Sequence, residues 1–240
     1  MPDTREGMEY IEPFSDERHY ASCIHCGTPK SRDFTRDHVP SKLLLDRPLP
    51  DNVPTFDICA DCNNRFSKDE GYLKIVLACI FQGTCEPDEL KDEAVARALR
   101  RNGPMLADLR RARRECHTLG GERQVIWHPD LSRLVPPLIK NARGHFIYEL
   151  GERAEGEPTS VGVCPLQTLD ESSRAAFEAV SIGAGWPEVG SRMMTRLVSG
   201  ADMFDGWIVV QPGVYRYAVH EYRAVRIVIR EYLAFEVIWD

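Results

Sequence analysis

The chain has no apolar run approaching the roughly 18–20 residues that a membrane-spanning helix needs. Its first residues, MPDTREGMEYIEPF, are acidic and polar, so the basic start and apolar core of a secretory leader are also missing. Both absences predict a cytoplasmic protein without a membrane partner. Proline and glycine are not in excess, at 16 and 17 of 240 residues, which argues against low-complexity disorder, and there is no internal repeat. Positive charge is in deficit: 30 Lys and Arg stand against 37 Asp and Glu, a net charge of −7. The overall charge therefore gives no general attraction to a polyanion, and any nucleic-acid contact must come from a local basic patch. What is present is ordinary for a globular protein: 43% hydrophobic and 28% charged residues, enough for one sizeable domain or two small ones.

Eight cysteines in a reducing compartment do not make a disulfide framework. Four of them form two tight pairs, Cys23-Ile-His-Cys26 and Cys59-Ala-Asp-Cys62, with 33 positions from Cys26 to Cys59. Two such knuckles predict a tetrahedral structural Zn²⁺ site, because thiolates are the soft ligands zinc prefers and a two-residue gap turns both sulfurs toward one ion. His25, inside the first knuckle, reads as a solvated loop side chain rather than a fifth ligand. Cys79, Cys85, Cys116 and Cys164 share no repeat, and Cys116-His117 reads as ordinary structure.

The predicted fold class is α+β. Residues 1–22 form an acidic lead-in, 23–72 a small metal-stabilised module of loops and short strands, 73–151 a mainly helical region, and 152–240 an α+β region with antiparallel strands. Helix formers prevail from Glu70 to about Arg114, broken at Gly103-Pro104. Val125–Trp127 reads as a short strand. Leu131–Leu150 reads as a helix ended by Gly151, with Pro136-Pro137 near its start or at a kink. Residues 152–159 read as a linker or exposed loop, 160–164 as a strand, and 171–185 as a helix capped by Asp170 or Ser172. From Tyr215 onward the apolar residues alternate, which predicts half-buried antiparallel strands, with a hairpin turning at Gln211-Pro212-Gly213.

Between the knuckles lies Thr35-Arg36-Asp37-His38-Val39-Pro40-Ser41-Lys42, and directly after the second comes Asn63-Asn64-Arg65-Phe66-Ser67-Lys68. If the four cysteines close round one zinc, Asp37, His38 and Asn63 come close together. Adjacent strand residues project to opposite faces, so a strand end or bulge is needed for Asp37 to hold a metal while His38 faces a scissile phosphate. Asp37 and Asn63 supply oxygen donors of the kind that suits Mg²⁺ or Mn²⁺, and a neutral His38 can accept a proton from water. Arg65, Lys68 and Lys42 are candidate phosphate contacts. Asn63 also suits a helix start, where asparagine caps backbone N–H groups.

The order Cys-x-x-Cys, Asp-His-Val-Pro-x-Lys, Cys-x-x-Cys-Asn resembles the HNH endonuclease family, in the variant with asparagine last, as in endonuclease VII-like members. The resemblance covers about residues 20–72. It implies a zinc-supported ββα-metal finger. Cys23, Cys26, Cys59 and Cys62 would hold a non-catalytic zinc, Asp37 and Asn63 the catalytic Mg²⁺ or Mn²⁺, and His38 would be the general base. The family's middle asparagine falls where this chain has Pro54, with Asn52 nearest, and the last position is doubled as Asn63-Asn64.

The function expected is metal-dependent hydrolysis of phosphodiester bonds in nucleic acid, with DNA as the expected substrate; RNA stays open, because no residue identified reads the 2′-OH. The alternative is a non-catalytic zinc-finger module that binds nucleic acid or a protein partner. The finger region from Cys23 to Lys68 has a net charge of only +1, whereas residues 97–114 carry seven arginines against Asp108 alone, net +6, and read as a track for a phosphate backbone or as a solvated, internally paired helix face. Residues 125–240 contain no specificity module and leave room for a homo-oligomer or a protein partner.

Overall fold

The computed structural model describes residues 21–180, 187–200, 202–220 and 224–239. The predicted lead-in therefore lies almost wholly outside the described residues, as do residues 181–185 of the helix predicted over 171–185; its described part ends earlier than predicted, at Glu178, with Ala179 in an extended conformation as its C-cap. Among the described residues the chain is mixed α+β, with six α-helices and antiparallel sheets. It divides into two compact units, Met1–Arg65 with Leu138–Asp240, and Phe66–Pro137. None of its helices is long and apolar enough to cross a membrane.

In the first unit, β1 (Phe34–His38) pairs antiparallel with β2 (Thr55–Cys59), with Asp37 opposite Phe56 and His38 opposite Thr55. Helix α1 (Ala60–Gln82) starts at the residue after β2. The helix thus begins ten residues before the Glu70 that helix-former content indicated, because Asp61 favours a first helical turn and the second knuckle is built into that turn.

The rest of the first unit is a six-stranded antiparallel sheet in the order β5-β10-β9-β8-β7-β6. Its strands are β5 (Ser160–Pro165), β6 (Met203–Phe204), β7 (Trp207–Gln211), β8 (Tyr215–His220), β9 (Ala224–Ile229) and β10 (Leu233–Ile238). Strands β8 to β10 are covered on both faces rather than half-buried. Tyr215, Tyr217, Ile227 and Phe235 point to one face, while Ala218, Val228 and Ala234 point to the other. The helix α4 (Leu131–Leu150) covers the first face through Phe146, whose ring lies 5.9 Å from that of Trp239, and through His145, stacked 3.6 Å from Tyr217.

The second face packs on α5 (Glu171–Glu178), where Phe177 meets Trp207 at 5.8 Å. Asp170 caps α5 by accepting from Ser173 N at 2.7 Å, as predicted. The Arg226 guanidinium donates to the carbonyls of Ala176, Phe177 and Ala179, placing a cation at the helix's negative end. Helix α6 (Arg192–Ser199) carries Arg196, fully buried and 2.9 Å from Glu149, which in turn accepts from Tyr217 at 2.7 Å.

The second unit contains α2 (Glu93–Arg101), α3 (Gly103–Ala112) and the hairpin β3 (Arg113–His117) with β4 (Arg123–Trp127). Arg113 and Arg114 begin a strand and do not extend the helix, a difference from the helical reading of that tract. Asp92 and Asn102 cap the two helices by accepting backbone N–H groups, which fixes the break at Gly103-Pro104. Pro136 and Pro137 lie inside α4, in its N-terminal half. Residues 152–159 are a loop exposed at Glu155, Gly156, Glu157 and Thr159 rather than a free linker: Ala154 is buried, and Thr159 N donates to Ile238 O at 2.9 Å.

Candidate metal centre

The first knuckle is a tight turn. Cys23 N donates to Thr28 O at 2.8 Å and Gly27 N to Cys23 O at 2.9 Å, with Gly27 at φ 73, a left-handed position that glycine adopts without strain. The second knuckle uses the end of β2 for Cys59 and the first turn of α1 for Cys62, whose N–H points at Cys59 Sγ at 3.5 Å. All four sulfurs lie within 4.8 Å of one another, and Cys26 and Cys59 Sγ are 3.6 Å apart. A tetrahedral Zn²⁺ with Zn–S near 2.3 Å needs sulfurs about 3.8 Å apart, so the donor set fits zinc.

The thiols also show the electrostatic need for a cation. Burial pushes Cys62 up, reinforced by its thiol neighbours, and burial raises Cys59. Burial raises Cys26 too, but hydrogen bonds with Thr28, Cys59 and Cys23 outweigh it and hold that thiol at about 6. Four clustered thiolates repel one another, and one divalent ion is what allows all four to ionise. A zinc tetrathiolate still carries two net negative charges. Around the knuckle lie Arg143, which donates to His25 O at 3.4 Å and to Gly156 O at 2.5 Å, and Arg153, which donates to Ser22 Oγ at 3.4 Å. Burial lowers the Arg143 pKa, and the charge of Glu157 and then that of Cys62 oppose that shift.

His25 is buried, at 8% exposure, which corrects the reading of it as a solvated loop side chain. Burial, then the charges of Lys140, Arg143, Arg65 and Arg153, hold it at about 3, so it is a neutral core histidine. It is not part of the four-ligand cluster. Nor does Cys116-His117 belong to any metal-ligand cluster among the described residues.

The remaining candidates lie around the same strand pair. Thr35 and Asp37 alternate onto one face of β1, and Asn63 Nδ2, from the first turns of α1, donates to Thr35 Oγ1 at 3.0 Å. Asn63 therefore stands beside the face that carries Asp37. His38 is the last residue of β1, the strand end that the alternation required. Burial, followed by the charges of Lys42, Arg36 and Lys140, lowers its pKa below the ordinary 6.5, so the imidazole is neutral and able to accept a proton. Lys42 is exposed in the short turn after the strand. Arg65 is exposed on α1 and close enough to His25 to affect its titration. Lys68 belongs to the second unit. Asn52 sits in the loop before β2 at φ 62, and Pro54 gives its carbonyl to Val39 N at 2.9 Å.

Sequence reasoning missed the contribution of α4. Lys140, 1% exposed, places Nζ 2.8 Å from the Asp37 carboxylate. Asn141 Oδ1 accepts from Ser41 N at 2.8 Å, and Arg143 reaches the first knuckle. No local signal near Asp37 points to these residues; in the structure nearly every residue from Leu138 to Leu150 is buried, and polar groups in such a helix must find partners.

The chain matches no protein-family model, no curated protein and no solved structure.

Proposed function

We propose that the protein is a metal-dependent endonuclease that hydrolyses phosphodiester bonds of DNA, with the four-cysteine unit as its structural support. The observation that supports this reading is the four-sulfur cluster, in which Cys59 ends β2 and Cys62 lies in the first turn of α1, because β2 pairs with the strand that carries Asp37 and His38 and α1 carries Asn63. A zinc scaffold alone has no physical need for a carboxylate, a neutral imidazole and an amide at those three positions.

Asp37 and Asn63 would hold Mg²⁺ or Mn²⁺, which supplies positive charge for the phosphate and the departing 3′ oxygen. His38, neutral at physiological pH, takes a proton from the attacking water. The water oxygen forms a bond to phosphorus as the P–O3′ bond breaks, and the 3′ oxygen takes up a proton from solvent. Lys42 and Arg65 provide positive charge for the non-bridging phosphate oxygens. Lys68, in the second unit, is assigned to backbone contact only.

The alternative is a non-catalytic zinc module that binds nucleic acid or a protein. One observation favours it: the Asp37 carboxylate already has a buried counterion in Lys140. Nicking of supercoiled plasmid with Mg²⁺ or Mn²⁺ decides between them, on protein of verified zinc content. Nicking that disappears in His38→Ala supports the enzyme. Zinc-loaded protein that cuts neither DNA nor RNA supports the binding module.

A further inference from the structure

The ion pair between Lys140 and Asp37 bears on how this centre takes its ion, an inference that rests on the endonuclease reading above. The Asp37 side chain is 11% exposed and the Lys140 side chain 1%. Lys140 is not free to swing into water, because α4 is locked to the segment that follows β1 on either side of the ion pair. Asn141 accepts from Ser41 N at 2.8 Å, and Gly144 lies so close to Val39 that a Cβ there would come within 2.4 Å of the valine Cγ2.

Within this pair the charges offset each other: Asp37 contributes one negative charge and Lys140 one positive charge. A divalent ion approaching the Asp37 oxygens meets a carboxylate whose field is already offset by an ammonium 2.8 Å from it. In a partly buried site of reduced dielectric, that repulsion outweighs what one shared carboxylate and one amide oxygen return. A phosphodiester brings the missing negative charge.

We propose that Lys140 is a positioning residue that offsets the Asp37 charge, so that Mg²⁺ or Mn²⁺ binds there only together with the DNA phosphate. The lysine orients the carboxylate in the substrate-free protein and suppresses ion binding until the substrate is present. Thermodynamic linkage requires the reverse as well: Mn²⁺ tightens DNA binding by the same factor by which DNA tightens Mn²⁺ binding.

The test uses the full-length, zinc-loaded chain in a His38→Ala background, so that DNA stays intact. Free Mn²⁺ is followed by electron paramagnetic resonance, with and without a short DNA duplex. The expected result is little Mn²⁺ binding by the protein alone and stoichiometric binding once duplex is added. Lys140→Met should bind Mn²⁺ without DNA, about tenfold or more tighter than its parent, a gain that structural damage does not produce. Equal, tight Mn²⁺ binding by the parent with and without duplex would overturn the proposal and leave the metal reading intact. Mn²⁺ bound by neither protein, even with duplex, would overturn both. Should Lys140→Met lose its zinc or its fold, the duplex dependence in the parent chain still decides the matter.

Discussion

Gly144 and Val39 meet at a distance that admits no side chain: a Cβ at Gly144 would lie 2.4 Å from Val39 Cγ2 and 2.7 Å from Cγ1. Val39 follows His38 directly, so this contact sets where the end of β1 rests against α4. Gly144→Ala should destabilise the protein by about 1–3 kcal/mol through overpacking and reduce nicking activity by shifting Asp37 and His38. Val39→Ala removes the clash, so the double variant should be more stable than the two single losses add up to. Denaturant unfolding of the four proteins measures this, and strictly additive losses would show that the contact is not what resists the methyl group.

The pH dependence of cleavage follows from His38. A general base works in its neutral form, and the lowered pKa of His38 keeps it neutral below the ordinary 6.5. Activity should therefore persist as pH falls through 6.5 and decline only at more acidic values. Arg36→Gln removes one of the charges that depress this pKa and should move the acidic limb upward. His38→Ala should lower the rate by roughly 10²–10⁴-fold. A limb that stays in place in Arg36→Gln would remove His38 from the role of base.

Zinc should be present at one ion per chain and should leave with the cluster. Native mass spectrometry is expected to find it in the wild type and in Cys116→Ser, whose cysteine lies on the exposed hairpin, and to find none in Cys62→Ser. A chelator should lower the melting temperature of the wild type, because the energy of binding a structural zinc contributes to folding. Zinc retained by Cys62→Ser would show that the four sulfurs are not the ligands.

Much of this was legible in the sequence, for identifiable reasons. The two Cys-x-x-Cys pairs carry their geometry in their spacing. The Asp170 cap and the alternation from Tyr215 onward are local signals, and each survives in the fold. What was not legible is non-local. Nothing near Asp37 announces Lys140, which arrives from 103 positions away. Burial on both faces of β8 to β10 depends on α5 and α4 lying on opposite sides of the sheet, which no strand period can show. The apparent solvation of His25 failed for a related reason: loop residues are polar by local rule, yet this loop lies beneath α4, with Arg143 on its backbone carbonyl.

Acid should destabilise the protein through His145. Its ring is fully buried, stacked on Tyr217, and its Nε2 lies 2.8 Å from Tyr215 Oη. Both tyrosines are held neutral by burial, and the nearby Glu149 is paired with Arg196. Burial holds the His145 pKa well below 6.5, and Nδ1 has no hydrogen-bond partner among the described residues, so protonation would bury an unsatisfied N–H. The unfolded chain takes up this proton near 6.5 and the folded chain does not, so this contribution is complete above 6.5 and declines as pH falls below it. The melting temperature should drop between pH 7.5 and 5.5, and His145→Gln, although less stable at pH 7.5, should drop less. An equal drop in both proteins would assign the acid sensitivity elsewhere.

The arginine tract is not uniform, and the structure divides it into two sets with different expected effects. Arg100 pairs with Asp88 and Glu93, each at 3.0 Å, Arg110 with Glu86 at 2.5 Å, and Arg113 with Glu115 at 2.7 Å and with the Gly83 carbonyl at 3.0 Å. These three are engaged within their own unit. Arg97, Arg101 and Arg114 are exposed, with no ion pair among the described residues, and Arg111 is paired with its exposed helical neighbour Asp108. If the tract follows a DNA backbone, the second set does so. Replacing Arg97, Arg101, Arg111 and Arg114 with Gln should reduce the slope of log affinity against log salt by about 0.9 for each phosphate that the protein no longer neutralises. Replacing Arg100, Arg110 and Arg113 with Gln should leave the slope nearly unchanged and show in the melting temperature instead. Fluorescence anisotropy of a labelled duplex over a salt series reads both variants, and equal slopes in all three proteins would remove the tract from the DNA-binding surface.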